Sequence, residues 1–361
     1  MASRTPAAAG KIAAVPALVL AVDLHDCEHP IEAELVEFEA LIAAAGARVL
    51  ERIVQKRDRV DPGLLIGSGK AHDVAGRIKE TGAQILFILN DVRPRQRRNL
   101  DKIIEVPIVD RTMLILDVFA RHARTREGKL QVELAQLKYR QSNLTGIGAD
   151  LSRLGGGIGT RGPGESKLET DRRRIALRIK VLSTAVEAVR KSRATRRAGE
   201  RHEPLVALVG YTNVGKSSLL NRLARSDAHV ADQPFATLDP TVRSVYLGPK
   251  QSIRVVDTVG FISELPPDLI AAFRATLEEL EDADLLLHVL DASNSDWPRQ
   301  QTSVNAILHE LKLDAKPRLT IFNKCDRALT DLPDASGNLR VSAKTGEGID
   351  ALRAELRERF P

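Results

Sequence analysis

Residues 210 to 217 form the pattern G-x-x-x-x-G-K-[ST], which is typical of a phosphate-binding loop. An apolar, strand-like run at residues 205–209 precedes the pattern, and a helix-like pattern follows it. The glycines let backbone N–H groups turn toward phosphate oxygens, Lys216 can neutralise β- and γ-phosphates, and the Ser217 hydroxyl can hold Mg²⁺. The predicted phosphate site comprises Gly210, Tyr211, Thr212, Asn213, Val214, Gly215, Lys216, Ser217 and Ser218.

A second motif, at residues 323–326, predicts the base. The Asp326 carboxylate has two acceptor oxygens that match the ring N–H and exocyclic amine of guanine, whereas adenine would leave a buried acceptor unpaired. We expect Asn323 to tie this loop to the phosphate loop, Lys324 to lie along the base, and a backbone N–H of residues 342–344 to meet the guanine carbonyl. The motifs in this order predict GTP. The base-binding residues would be Asn323, Lys324, Cys325, Asp326, Ser342, Ala343 and Lys344.

Two segments between these motifs are predicted to sense the γ-phosphate. Asp257 ends an apolar run and can reach Mg²⁺ through water, and Gly260 can offer its N–H to the γ-phosphate. Residues 235–239 stand where a first switch segment is expected, with Thr237 as the second hydroxyl on Mg²⁺ and Thr241 as its local competitor. The predicted metal ligands are Ser217, Thr237 and, through water, Asp257. The predicted switch residues are Phe235, Ala236, Thr237, Leu238, Asp239, Asp257, Thr258, Val259 and Gly260.

Catalysis is less clearly encoded than binding. Phe261 follows Gly260 at a position where many GTPases carry a glutamine that orients the attacking water. A phenyl ring cannot orient water, so slow intrinsic hydrolysis and stimulation by a partner are expected. Apart from Lys216, Asn213 is the catalytic candidate, and two interpretations are open: it ligates a K⁺ ion that stands in for an arginine finger, or it is satisfied by the loop backbone.

Length and composition limit the class of protein. A chain of 361 residues predicts two or three domains. Its two cysteines, Cys27 and Cys325, lie far apart without metal-like spacing, which fits a reducing cytosol. The longest apolar stretch, residues 12–22, contains Pro16 and is too short to span a membrane. We therefore expect a cytoplasmic protein without a membrane partner. We also expect the protein to be a monomer.

Positive charge is concentrated outside the predicted GTPase region. Residues 204–361 hold 18 basic and 22 acidic residues, whereas residues 121–201 hold 20 and 8. Such an excess is the electrostatic signature of a nucleic-acid partner. The alternative is a solvated, charged helical face.

The hydrophobic pattern predicts an α/β fold class, with a P-loop GTPase domain preceded by a small α/β domain and an antiparallel helical hairpin. Residues 1–15 would be a flexible tail, and residues 16–125 alternate strand-like and helix-like runs. In residues 126–200, apolar positions such as Ile175 and Leu182 recur every seven residues, as in paired helices. Residues 204–361 would form the GTPase domain. In the first domain, the predicted strands are 17–22, 47–54, 85–89 and 106–109, and the helices include 74–79, 96–104 and 112–122.

A Gly-rich segment, residues 146–164, is predicted to connect the two hairpin helices and holds eight glycines in nineteen positions. A loop longer than a hairpin needs suggests function or disorder. A basic tip that binds RNA is the prediction, and a flexible linker is the alternative. The predicted RNA contacts are Arg153, Arg161, Arg172, Arg173 and Arg174.

Residues 67–70, Gly-Ser-Gly-Lys, look like half of a phosphate loop before a helix. They could bind a second nucleotide by its phosphate at the helix start. Alternatively, they form a structural glycine turn that lets Lys70 face RNA.

The chain resembles the HflX family of ribosome-associated GTPases, in the Obg-HflX superfamily of P-loop GTPases, from about residue 16 to its end. The resemblance rests on residues 66–70, 93–100 and 110–119, most specifically on residues 131–139 and 152–165, and on the GTPase motifs. It implies a GTPase that binds the large ribosomal subunit and its rRNA, with the hairpin tip reaching toward the peptidyl-transferase region. It further implies splitting or rescue of stalled ribosomes, notably under stress, and hydrolysis stimulated by the ribosome. In some members the N-terminal domain is credited with binding ATP, a role open to residues 67–70.

Two departures from the family pattern stand out. Residues 141–144, Gln-Ser-Asn-Leu, replace a Leu-Pro-Arg-Leu-like stretch, which leaves the end of the first hairpin helix open. The sequence stops at Pro361, so contacts of the extra C-terminal domain of longer members are not assumed. The alternative function is a GTPase that acts on another RNA, such as a ribosome-assembly intermediate or a tRNA. A protein- or membrane-binding switch is disfavoured by the basic tip, and a phosphotransferase by the complete guanine and switch motifs.

Overall fold

The computed structural model describes residues 14–24, 31–154, 163–198, 203–225, 234–235, 240–262, 279–328, 332 and 338–361. The chain divides into two compact units, Met1–Ile115 and Leu116–Pro361. Among the helices within the described ranges, none combines the length and the hydropathy that crossing a bilayer requires.

The first unit contains a four-stranded parallel sheet in the order β2-β1-β3-β4. β1 is an interior strand of this parallel sheet and is buried along most of its length, as expected for a sheet whose faces are covered by crossover helices; Leu18 and Leu20 belong to the core of this unit. The predicted α/β alternation is confirmed, although the third helix ends at Leu100 rather than at residue 104. The elements are β1 (Val15–Leu24), α1 (Ile31–Ala44), β2 (Ala47–Arg57), α2 (Ser68–Thr81), β3 (Ile85–Ile88), α3 (Pro94–Leu100), β4 (Ile108–Asp110) and α4 (Arg111–His122), which continues into the second unit.

Two long helices, α5 (Arg126–Leu154) and α6 (Pro163–Ala198), pack against each other in the second unit. Leu182, one of the heptad positions, is buried. The Arg178 guanidinium donates to Glu133 Oε1 at 2.8 Å and joins the two helices. The predicted hairpin is thus present, while the division of the chain at residues 125 and 200 stays a prediction.

The prediction of a loop over residues 146–164 is wrong for its first half. α5 continues through Gly146 and Gly148 and includes Arg153. A single glycine costs a helix only about 1 kcal/mol relative to alanine, and residues 141–144 contain no proline that would stop the helix. Arg153 is therefore helical, and Arg161 lies outside the described residues.

The GTPase part of the second unit is a six-stranded sheet in the order β10-β9-β8-β5-β7-β6. Only the β6–β7 pair is antiparallel among the described strand pairs. β5 and β8 are buried along their whole length, as expected for central parallel strands. The elements are β5 (Leu205–Gly210), α7 (Lys216–Ala224), β6 (Thr241–Gly248), β7 (Gln251–Asp257), β8 (Leu285–Asp291), α8 (Trp297–Glu310), β9 (Arg318–Asn323), a 3₁₀ turn (Cys325–Arg327), β10 (Leu339–Arg340) and α9 (Ile349–Arg359).

Candidate nucleotide-binding site

Polar and glycine residues meet at the carboxyl edge of the six-stranded sheet. Gly210 ends β5, Asp257 ends β7, Asp291 ends β8 and Asn323 ends β9. Asp291 and Asn323 are direct partners in the parallel register. In open α/β sheets, ligands bind in the crevice at this edge, where the strand order reverses. β5 is the strand of reversal because β7 and β8 lie on its two sides.

Two glycines allow the phosphate loop its close approach to neighbouring strands. A Cβ atom on Gly210 would lie 2.3 Å from the Val289 carbonyl oxygen, and one on Gly215 would lie 2.3 Å from Asn323 Nδ2. Gly215 also has a φ of +92°, which L side chains rarely adopt. No side chain therefore fits at either position unless β8 moves or the predicted base loop, residues 323–326, moves.

Lys216 begins α7 and is buried under the loop that precedes it. Its Nζ atom donates to the carbonyl oxygens of Gly210, at 3.0 Å, and Tyr211, at 2.7 Å. Burial lowers the pKa of the ammonium to about 8, and the negative charge of Asp257 opposes that shift. A phosphate anion nearby would favour the protonated form and compensate for the burial.

Ser217 and Asp257 form the pair expected at a Mg²⁺ site. The Ser217 hydroxyl donates to Asp257 Oδ2 at 2.5 Å. Both groups are hard oxygen donors, and Mg²⁺ typically takes one or two protein oxygens and completes its shell with water and phosphate. The donor set therefore fits this ion. The next residue, Thr258, is fixed by a 2.6 Å hydrogen bond from its hydroxyl to the Leu208 carbonyl oxygen.

Phe261 is buried and pairs with the phosphate loop through its backbone. Its N–H donates to the Gly210 carbonyl at 3.1 Å, and its carbonyl accepts from the Thr212 N–H at 2.7 Å. Because the ring is only 2% exposed, it cannot act on water in the crevice. A Cβ atom on Gly260 would come within 2.8 Å of Thr212 Cα and 3.0 Å of Lys216 Nζ, so this backbone lies next to the lysine.

Asn323 connects the base loop to two other loops. Its Nδ2 donates to the Val214 carbonyl oxygen at 2.8 Å, and its Oδ1 accepts from the Ala343 N–H at 3.0 Å. The side chain is buried, so both bonds are shielded from water. The expected tie between base loop and phosphate loop is present, and the same residue also fixes residues 342–344.

Asp326 lies in the 3₁₀ turn, and its Oδ1 accepts a hydrogen bond from the Ser342 hydroxyl at 2.7 Å. This hydrogen bond is the main cause that lowers the pKa of the Asp326 carboxyl below its usual value. Ser342 Oγ in turn accepts from the Thr345 N–H at 3.1 Å. The carboxylate stays ionised at neutral pH and presents acceptors only, as recognition of the two guanine donors requires.

The switch residues are described only in part. Residues 236–239, with Thr237 among them, lie outside the described residues. Phe235 is buried with a φ of +57° and packs against Phe119, with ring centroids 4.4 Å apart. Thr241 begins β6 and is the register partner of Asp257.

Three of the predicted RNA contacts, Arg172, Arg173 and Arg174, lie on α6. Arg173 and Arg174 are exposed and, within the described residues, form ion pairs with Glu169 and Asp171 of the same helix. Arg172 is half-buried.

Two residues of β8 near this site are not predicted by the motifs. Asp291 Oδ2 lies 2.7 Å from Lys324 Nζ. His288 is buried, and burial, with smaller effects of Arg318 and Lys216, lowers its pKa to about 4. One sequence signal indicates Asp291: it is an acidic residue directly after the mostly apolar run 285–290. Asp257 likewise follows an apolar run, at the end of β7.

The fold and the arrangement of loops at its edge define the class of P-loop GTPases, and comparison with known proteins specifies the family. Family profiles match three consecutive regions: "GTP-binding GTPase N-terminal" at residues 32–120, "GTP-binding GTPase Middle Region" at 122–200 and "50S ribosome-binding GTPase" at 205–324. GTPase HflX of Lacrimispora saccharolytica is 47% identical over 341 residues, which cover 93% of this chain and 80% of the relative. GTPase HflX of Escherichia coli is 43% identical over 336 residues, or 91% and 79% of the two chains. This chain belongs to the HflX family of GTPases, and GTP hydrolysis is its activity.

A solved structure agrees with the fold. The crystal structure of SsGBP in complex with GDP covers 96% of this chain and 98% of its own, with a TM-score of 0.53 and 24% identity.

Proposed function

We propose that this GTPase binds the large ribosomal subunit and uses GTP binding and hydrolysis to split or rescue stalled ribosomes under stress. The match of residues 205–324 to a family described as 50S ribosome-binding GTPases carries the proposal. The basic excess of residues 121–201 supports it, because rRNA is a polyanion and binding to it gains from neutralised phosphates. A ribosomal partner would place the protein in the cytoplasm.

GTP would occupy the carboxyl edge of the six-stranded sheet. Lys216 and the N–H groups of the phosphate loop would bind the phosphates, and Asp326 would bind guanine. Ser217 and Thr237 would hold Mg²⁺ directly and Asp257 through water, and the ion would supply positive charge against the β- and γ-phosphates. The contacts of Asp257 and Asn323 support this placement because each joins the phosphate loop to a second loop, and Lys216 Nζ is held under the phosphate loop itself.

Intrinsic hydrolysis should be slow. Phe261 is buried, so the residue that follows Gly260 cannot orient the attacking water. Asn213 is exposed, with a φ of +60°, and its carbonyl accepts from Lys324 Nζ at 2.8 Å. Both interpretations of its side chain, a K⁺ ligand or a loop residue, remain proposals. Equal hydrolysis rates in K⁺ and Na⁺ would favour the second.

The test is phosphate release by the full chain, alone and with purified 50S or 30S subunits. We expect 50S subunits, but not 30S subunits, to raise turnover by at least about tenfold. A partner that supplies a water-positioning or charge-stabilising group accelerates hydrolysis by that factor or more. A Lys216→Ala variant, which should lose GTP binding, gives the background. Turnover unchanged by 50S subunits would contradict the proposal. Stimulation only by assembly intermediates or free rRNA would favour the alternative RNA substrate.

A second nucleotide site at residues 67–70 is a separate proposal. α2 begins at Ser68, and its N-cap residue is Gly67, which has no side chain that could cap the first N–H groups of the helix. Open N–H groups at a helix start can bind a phosphate, which supports ATP as a ligand here. ATP binding that survives Lys216→Ala but is lost on Lys70→Ala would support the site. Equal ATP binding by the Lys216→Ala and Lys70→Ala variants would contradict it.

A further inference from the structure

Asp291 ends β8 next to the base loop, and both of its carboxylate oxygens have partners. Oδ2 accepts a hydrogen bond from Lys324 Nζ at 2.7 Å. Oδ1 accepts two, from the N–H of Ser293 at 2.9 Å and from its hydroxyl at 2.6 Å. Because Asp291 is largely buried and paired in register with Asn323, its carboxylate has a fixed position from which it presents a charge to Lys324.

The Lys324 ammonium makes a second contact, with the phosphate loop. Its Nζ donates to the Asn213 carbonyl oxygen at 2.8 Å. Lys324 and Asn213 have φ values of +63° and +60°, which are uncommon for residues other than glycine and persist only where surrounding contacts hold them. The Lys324 ammonium therefore lies between Asp291, at the end of β8, and the Asn213 carbonyl of the phosphate loop, and the neighbouring Asn323 makes a separate bond to Val214.

We propose that Asp291 is a positioning residue for guanine-nucleotide binding, which holds Lys324 extended between the phosphate loop and the base. This inference rests on the placement of GTP given under Proposed function. Lysine has a flexible four-carbon stem, and the cost of ordering it falls on the binding step unless the free protein already holds it. Asp291 does so with a full negative charge, whereas the Asn213 carbonyl is neutral.

A purely local role for Asp291, fixing the turn at Ser293, makes different predictions. Asp291→Asn keeps an acceptor oxygen for Ser293 but removes the charge and can turn an N–H toward the Lys324 ammonium. Asp291→Glu keeps the charge on a longer stem. Ser293→Ala removes one partner of Oδ1 and leaves the Lys324 contact in place, so it serves as the matched control.

The experiment measures affinity and dissociation rate of N-methylanthraniloyl-GDP with the full chain. For Asp291→Asn we expect affinity about tenfold weaker, mostly through faster dissociation, which is the size of one lost charge-assisted hydrogen bond. In a Lys324→Ala background, the same substitution should change affinity by less than about twofold, because the group it positions is gone. Asp291→Glu should recover part of the affinity, and Ser293→Ala should stay within about twofold of wild type.

The melting temperature of the nucleotide-free variants separates positioning from folding. Positioning predicts that Asp291 and Lys324 are coupled in nucleotide affinity even where Asp291→Asn leaves the melting temperature unchanged. Wild-type affinity in Asp291→Asn, or affinity losses that simply add to those of Lys324→Ala, would overturn the inference. If Asp291→Asn does not fold, the nucleotide affinities of Asp291→Glu and Ser293→Ala are compared instead. Weaker affinity in Asp291→Glu alone supports positioning, and equal affinities of the two variants overturn it. A Lys324→Ala variant that binds GDP like wild type would instead contradict the proposed base site.

Discussion

At the scale of single residues, guanine selection rests in our proposal on the Asp326 carboxylate. Asp326→Asn keeps an oxygen for the Ser342 hydroxyl, because the amide can still accept at Oδ1. It replaces the other acceptor with a donor, which would face the guanine amine but suits the carbonyl of xanthine. We expect GDP affinity to fall by at least about 100-fold and xanthosine diphosphate to become the better ligand.

Binding of both diphosphates by wild type and by Asp326→Asn, measured by displacement of the fluorescent GDP analogue, checks this prediction. An unchanged melting temperature serves as the control for folding. A variant that retains full GDP affinity would show that residues 323–326 do not read the base.

The residues of this site differ in how far sequence alone could locate them. The positions of Lys216, Asp257 and Asn323 are predictable because each lies at a fixed spacing from a strand end. Asp291 is not, since its contact with Lys324 depends on the register between β8 and β9, which no local pattern specifies. The burial of His288 could not be predicted from sequence either, because it is a single polar residue inside an otherwise apolar strand.

At the scale of elements, β8 carries a titratable group in a fully buried strand. His288 Nε2 has no hydrogen-bond partner within the described part of the chain, and burial lowers the pKa of the ring to about 4 from an ordinary 6.5. The native state therefore favours neutral His288. As pH falls from 6.5 to 4, the unfolded chain takes up a proton that the native protein cannot, so the free energy of unfolding decreases, by roughly 3 kcal/mol in all.

His288→Gln should remove this part of the acid dependence. Carboxylates titrate in the same range, so the quantity of interest is the difference between wild type and variant from pH 7 to pH 4.5. Denaturant unfolding, followed by the fluorescence of Trp297, the single tryptophan, measures it. Parallel pH profiles for the two proteins would mean that His288 does not contribute.

The segment before Thr237 is anchored on α4. Phe119 and Phe235 are both buried and meet nearly edge to face, at an interplanar angle of 63°. Such pairs contribute about 0.5–1.5 kcal/mol beyond their buried area. We therefore expect a coupling of about 1 kcal/mol between Phe119→Leu and Phe235→Leu in a double-mutant cycle of unfolding free energies. Additive effects of the two substitutions would show that the rings pack independently.

The predictability of elements follows the strength of local signals. Strands β5 and β8 are continuous apolar runs, and the heptad pattern of α6 identifies its buried face, with Leu182 as the example. The end of α5 could not be predicted, because glycines at 146 and 148 indicate a loop while packing against α6 can outweigh their modest helix cost.

At the scale of the whole molecule, two regions of the chain differ in net charge, and we expect them to bind different anionic partners. Residues 204–361 are slightly acidic, with 22 acidic and 18 basic residues, although this part binds a polyanionic nucleotide. In our proposal its phosphate affinity therefore comes from a few fixed groups, chiefly Lys216 and backbone N–H groups, rather than from net charge. The excess positive charge of residues 121–201 is then available for a larger anionic partner, for which rRNA is our proposal.

Substitution of two exposed arginines of α6 tests the proposal that residues 121–201 bind rRNA. Arg173 and Arg174 have side chains that are 77% exposed, and their ion pairs lie within one helix, so they add at most about 0.5 kcal/mol each to stability. Arg173→Ala with Arg174→Ala should leave the melting temperature and intrinsic hydrolysis nearly unchanged. If they contact rRNA phosphates, binding to 50S subunits should weaken, and the slope of log affinity against log salt should flatten by about 1 to 2.

Sedimentation with 50S subunits in a non-hydrolysable GTP analogue, at several KCl concentrations, measures both quantities. The matched control is Lys79→Ala with Lys102→Ala, which removes the same charge from exposed positions outside residues 121–201. Equal losses from the two double variants would mean that only net charge matters. An unchanged salt slope in the arginine variant would exclude Arg173 and Arg174 as phosphate contacts and leave the basic face of α6 as a solvated surface.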